Sequence, residues 1–94
     1  MPTYRPDYFG QKSTGTGKIH EQIVVEVEIE STVFCKHTEK QILLMHEYLH
    51  LQKKKKVKTE GVLALPRKTK AKLYASSLLS SLFPEGHAIQ LLEV

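Results

Sequence analysis

His46-Glu47-Tyr48-Leu49-His50 sets two imidazoles four residues apart around a carboxylate. On a helix, that spacing puts both rings on one turn, where they can hold zinc while the glutamate takes a proton from bound water. Such a site also needs a third ligand, a cleft to point into and an open position for water. Glu60, Glu85 and His87 are downstream candidates for the third ligand, but none follows at a recognised spacing. At roughly 100° per residue, His46, Glu47 and His50 fall with Glu39 on the side opposite the apolar residues of the segment, and so point to solvent. Leu43, the one apolar residue on that side, is a candidate contact with another subunit.

Cys35 and His37 are a second chemical pair. Two residues apart on a strand, they would share a face, as a thiol and its base or as zinc ligands. His37 and His46, however, are nine residues apart in the sequence. That is roughly 13 Å along a helix rising about 1.5 Å per residue, which metal bonds of about 2 Å do not bridge. A zinc hydrolase with His46 and His50 as ligands and Glu47 as base is therefore an alternative reading. The sequence favours a non-catalytic chain with no cofactor.

The stronger signal is charge. Residues 53–72 carry Lys53, Lys54, Lys55, Lys56, Lys58, Arg67, Lys68, Lys70 and Lys72 against the single acid Glu60, whereas residues 21–35 carry Glu21, Glu26, Glu28 and Glu30 and no base. Cations gathered in this way suit phosphates, since each phosphate neutralised releases a condensed counterion. The run that opens the second helix also lies near backbone N–H groups that favour anions. Arg5, Lys12 and Lys18 add charge, and Tyr4, Tyr8 and Phe9 offer rings for unpaired bases. Against this, lysines on an edge strand also discourage aggregation. Lys54, Lys56 and Lys58 also match the period-two face of Glu26, Glu28 and Glu30, so the two segments would neutralise each other within a dimer.

Ninety-four residues, 40% of them hydrophobic and 26% charged, describe one globular domain rather than a disordered chain. No apolar run reaches bilayer length, the first residues lack the apolar core of a signal peptide, and a lone Cys35 forms no internal disulfide. The expected setting is the cytoplasm, with no membrane partner.

Residues 1–20, rich in Gly, Ser, Thr and Pro, read as a flexible arm ahead of a single domain over 21–94. Within the arm, GQKSTGTGK fails the phosphate-loop spacing because Lys12 stands where the first glycine belongs. Val25, Val27 and Ile29 alternate with Glu26, Glu28 and Glu30, a strand with its apolar side buried. Thr38 as N-cap and Gln41 three residues on begin a helix over 39–52, with Ile42, Leu44, Met45, Tyr48, Leu49 and Leu51 on its apolar side. Lys53–Lys58 and Val62–Leu65, around Thr59-Glu60-Gly61, read as a hairpin. A second helix follows Pro66 and stops at Phe83, before Pro84, and 88–94 is a last strand.

The expected fold is α+β, a small two-layer sandwich in the β-α-β-β-α-β ferredoxin-like order, with two helices on one face of a mostly antiparallel sheet. If Lys53–Lys58 is not a strand, the order from residue 21 becomes β-α-β-α-β, a small open sheet. The expected function is a small basic non-catalytic protein that binds DNA or RNA mainly through phosphates. A self-assembling, dimerising regulatory module is the alternative, ahead of the zinc hydrolase.

Overall fold

The computed structural model describes residues 4–29, 33–67 and 69–94. The chain forms strands β1 (Tyr8–Ser13) and β2 (Ile19–Val27), helix α1 (Lys36–Lys54), strand β3 (Lys58–Leu65), helix α2 (Thr69–Leu82) and strand β4 (Ile89–Glu93). This is an α+β fold with a four-stranded mixed sheet in the order β1-β2-β3-β4. β1 is antiparallel to β2, while β2, β3 and β4 run parallel. Parallel neighbours cannot be joined by a tight turn, and α1 and α2 are the two crossovers. Right-handed crossovers stepping the same way across a sheet place both helices on one face. No helix among the described residues is long and apolar enough to cross a membrane.

Four strands and two helices agree with the sequence expectation, but their placement is corrected in three respects. The first concerns residues 8–13, expected within a flexible arm, which form an edge strand of the sheet. Edge strands need no apolar alternation, and this one is held by the reversal after it: Thr14 N–H donates to Lys18 O at 2.8 Å, and Gly17 takes a φ of +85°. The second concerns Lys53–Lys58, which is not a hairpin strand. Lys53 and Lys54 finish α1, Lys55 and Lys56 turn the chain, and Lys58 opens β3, so the sheet is mixed and not mostly antiparallel.

The third correction concerns the faces of β2. The alternation is real, but the side turned to the helices carries Gln22, Val24, Glu26 and Glu28, all buried. Of the residues expected inside, Val25 is half-buried and Val27 and Ile29 are 39% and 61% exposed. Glu30 lies outside the described residues.

Close helix approach at β3 accounts for this choice of side. A Cβ added at Gly61 would stand 2.7 Å from Leu49 Cδ1 and 3.1 Å from Met45 Sδ, both on α1. Gly61 therefore faces the helices, and with it, by the period of two, Leu63 and Leu65. Parallel register sets Val24 beside Gly61 and Glu26 beside Leu63, so the glutamate side of β2 is carried under the helix layer.

The helices bury narrow stripes. On α1, Thr38, Ile42, Met45 and Leu49 are buried, following the three-to-four spacing of one helical face. Leu51, expected among them, is 42% exposed. Cys35, not Thr38, is the N-cap, and Thr38 lies one turn inside and fully buried. On α2, Ala71, Ala75 and Leu79 recur every four residues, and the two alanines let the helix lie close to its neighbours. With Val24, Leu63, Leu65 and Ile89 these residues form the core.

The Gly61 contact gives a test. Gly61→Val overpacks the seam between α1 and β3 despite the better strand propensity of valine, and is expected to cost about 1–3 kcal/mol in chemical denaturation.

Candidate nucleic-acid interface

The parallel strands sort the cations by end. The β1–β2 reversal and the α1–β3 turn both lie at the N-terminal end of β2 and β3, because Ser13 pairs with Ile19 and Lys58 with Glu21. Lys12, Lys18, Lys53, Lys54, Lys55, Lys56 and Lys58 are exposed at this end, against the two acids Glu21 and Glu60. Glu21 contacts Lys12 at 3.6 Å and Lys58 at 4.0 Å. Among the described residues, no ion pair ties Lys53, Lys54, Lys55 or Lys56 to a carboxylate. Glu26 and Glu28, buried on the helix side, do not cancel this charge.

Arg67, Lys70 and Lys72 stand at the other end of β3. The strand's eight residues separate the two groups by about 23 Å at roughly 3.3 Å per residue. Lys72 pairs with Glu93 at 3.7 Å, and Lys68 lies outside the described residues. The cations contiguous in sequence are thus split, while Lys12 and Lys18, distant in sequence, join the larger group. The signal that would have joined them is the reversal at Thr14–Lys18, which returns the chain to the sheet end where β3 begins. Tyr8 and Phe9 are exposed near the opposite end of β1, and Tyr4 packs its ring 5.1 Å from that of Tyr48.

The turn that carries four of these lysines has a defined geometry. Val57 N–H donates to Gln52 O at 3.0 Å, and Lys56 N–H to Lys53 O at 3.0 Å. This pair of bonds is the Schellman closure, whose left-handed position is usually glycine. Here Lys56 occupies it, at a φ of 60°. A residue with a Cβ pays roughly 1–2 kcal/mol for that conformation.

The HEYLH helix is confirmed, but its residues do not form one cluster facing solvent. Glu47 and His50 are exposed, whereas His46 is half-buried and stacks on Phe83 with ring centres 3.8 Å apart. Burial, then the neighbouring His50 and His87, hold the His46 imidazole below its ordinary range. Among the described residues, no three His, Cys, Asp or Glu side chains are placed to hold a metal ion. Cys35 caps α1 and His37 lies in its first turn, so the two do not share a strand face.

The sequence reading missed the acidic site under the helix layer. Glu26 is 4% exposed, and its Oε1 and the Tyr4 hydroxyl are both buried with no hydrogen-bond partner among the described residues. Burial pushes the Glu26 carboxyl up to about 7; the Tyr4 hydroxyl opposes the shift, and the Asp7 and Glu28 carboxylates reinforce it. Burial, then Glu26 and Asp7, raise the Tyr4 phenol. Asp7 is itself fixed by accepting the Val27 N–H at 2.8 Å.

The folded chain therefore keeps a proton on Glu26 where the unfolded chain, with an ordinary value of 4.5, has released it. Its contribution to stability is full below about 4.5, is lost as pH rises towards 7, and is level above that. A loss of about 2–3 kcal/mol is expected across that window. Glu26→Gln should abolish this part of the slope in urea denaturation and leave the opposing His46 contribution, which weakens the fold as pH falls, in both proteins.

Compared with protein-family models, with curated proteins and with solved structures, the chain matches none.

Proposed function

We propose that the chain is a non-catalytic binding protein that holds nucleic acid by its phosphates at the basic end of the sheet. Lys18, Lys53, Lys54, Lys55 and Lys56 carry the main contact and Lys12 and Lys58 flank it, while Arg67, Lys70 and Lys72 form a second basic group at the far end. The observation that carries this reading is Lys56 at a φ of 60°. A lysine held where glycine would cost less is a local rule broken at the centre of the charge, and such strain concentrates at functional positions.

Plain surface chemistry explains part of the run. Lys53 and Lys54 complement the negative end of the α1 dipole. It does not explain Lys55 and Lys56, which lie beyond the helix, or Lys18 on a separate reversal. Contacts of this kind give affinity with little base preference, because the bare sheet face lacks the central-strand aromatics on which RNA-binding sheets stack bases. β3 carries only Val62 and Ala64 in the middle of that face.

Lys56→Gly separates the two explanations. Relief of the left-handed conformation should raise folding stability by up to about 1 kcal/mol. Affinity for generic duplex and single strands should fall, and the slope of log affinity against log salt should shrink by about 1. Stabilisation with unchanged affinity would show Lys56 to be mere solvated surface. No binding by the unaltered chain at low ionic strength would remove the reading altogether.

A further inference from the structure

Among the described residues, no element packs on the face of the sheet turned away from the helices. Ile23, Val25 and Val27 of β2, and Ile29 just beyond it, line this face; Val62 and Ala64 of β3 lie between the flanking rows and are largely shielded by them, at 9% and 5% exposed, while Leu92 and Val94 at the β4 edge are 51% and 58% exposed. Tyr4, the first described residue, packs against Tyr48 on the helix side and not on this face. At one end the apolar surface gives way to Lys12, Glu21, Lys58 and Glu60, which surround a shallow open depression of about 490 Å³ over Gly10 and Ile23.

We propose that this face is the interface of a two-fold dimer, in which two copies of the chain pack sheet to sheet with the axis along the strands, between β2 and β3. Four strands about 4.8 Å apart and seven residues at roughly 3.3 Å give about 450 Å² of flat sheet per copy, near 1,000 Å² in total once side-chain relief is counted, which is the lower bound for a specific interface. Aligned sandwiches of this kind bury the facing rows of two sheets about 10 Å apart.

The charged rim fixes the axis. Glu21 and Lys58 are register partners on adjacent strands, so a two-fold axis between those strands sets each Glu21 over Lys58 of the second copy. The same operation sets Val25 over Val62 and Val27 over Ala64. It brings Glu60 over Ile23, where the depression at Gly10 leaves the carboxylate room for water. An axis across the strands would instead press the charged end of each sheet onto the apolar end at Ile29 and Val94 of the other, leaving Lys12, Glu21 and Lys58 only their contacts within one chain and no partner across the interface. With the axis along the strands, both basic ends also fall at the same end of the dimer, and Lys18 and Lys53–Lys56 stay outside the interface.

Sedimentation equilibrium of the full chain over a range of concentrations tests the proposal. The unaltered chain is expected to be dimeric, and to stay so in molar salt because the centre of the interface is apolar. Val27→Lys, which adds charge at an exposed position, should raise the dimer dissociation constant by about tenfold or more. Leu73→Glu, on α2 and 64% exposed away from this face, should leave it unchanged. Circular dichroism checks that Val27→Lys folds; if it does not, Leu92→Glu takes its place. Glu21→Lys should weaken the dimer, and adding Lys58→Glu should restore it. A monomer at the highest soluble concentration, or Leu73→Glu dissociating the dimer as strongly as Val27→Lys, overturns the interface. Failure of the charge swap to restore association overturns the axis.

Discussion

Two crossovers that step the same way across one sheet govern this molecule. β2, β3 and β4 are parallel neighbours in chain order, so α1 and α2 must return on the same side, and only one face of the sheet receives a helix layer. Unequal faces follow from this arrangement. The covered face has room for Val24, Leu63, Leu65 and Ile89 but also takes in Glu26 and Glu28, while Ile23, Val25 and Val27 of β2 line the face left open. The two reversals at the N-terminal end of the parallel strands gather the lysines, while the α2 start takes its cations to the opposite end. Core, buried acids, apolar face and basic end are thus consequences of one connectivity.

Two backbone positions adapt the chain to that plan in opposite ways. Gly61 gives up a side chain so that Leu49 and Met45 can reach the sheet, and parallel register then carries Glu26 inward. The carboxylate responds by retaining its proton near neutrality, beside a tyrosine and a second acid anchored to the β2 backbone. Lys56 does the reverse, keeping a side chain where the helix closure would suit none. The first choice serves packing and the second places charge at the exposed corner between α1 and β3.

Much of the fold was legible in the sequence. The three-to-four spacing of Ile42, Met45 and Leu49 marked α1. The apolar run Val62–Leu65 located the middle strand, and Pro66 and Pro84 bracketed the second helix. The alternation over 23–30 marked a strand but not its inward side, because a period of two describes both faces equally and hydrophobicity argued for the wrong one. What decided the side was the contact of Gly61 with α1, a pairing between segments that no local pattern carries. β1 escaped notice because an edge strand paired on one side needs no apolar rhythm. Of the candidate site, the cations were visible as residues but not as a patch. Adjacency in sequence joined Lys53–Lys58 to Arg67–Lys72, which β3 holds apart, and hid their proximity to Lys12 and Lys18, which depends on the register of three strands.

Methyl-to-methyl nuclear Overhauser contacts report directly which side of β2 the helices cover. Val24 methyl groups should show contacts to α1 side chains, with Ile42 and Met45 the nearest candidates in the shared core. Val25 and Val27 should show none to either helix, whatever else covers them. Contacts from Val25 and Val27 to α1, with Val24 silent, would place the glutamates outside and contradict the account.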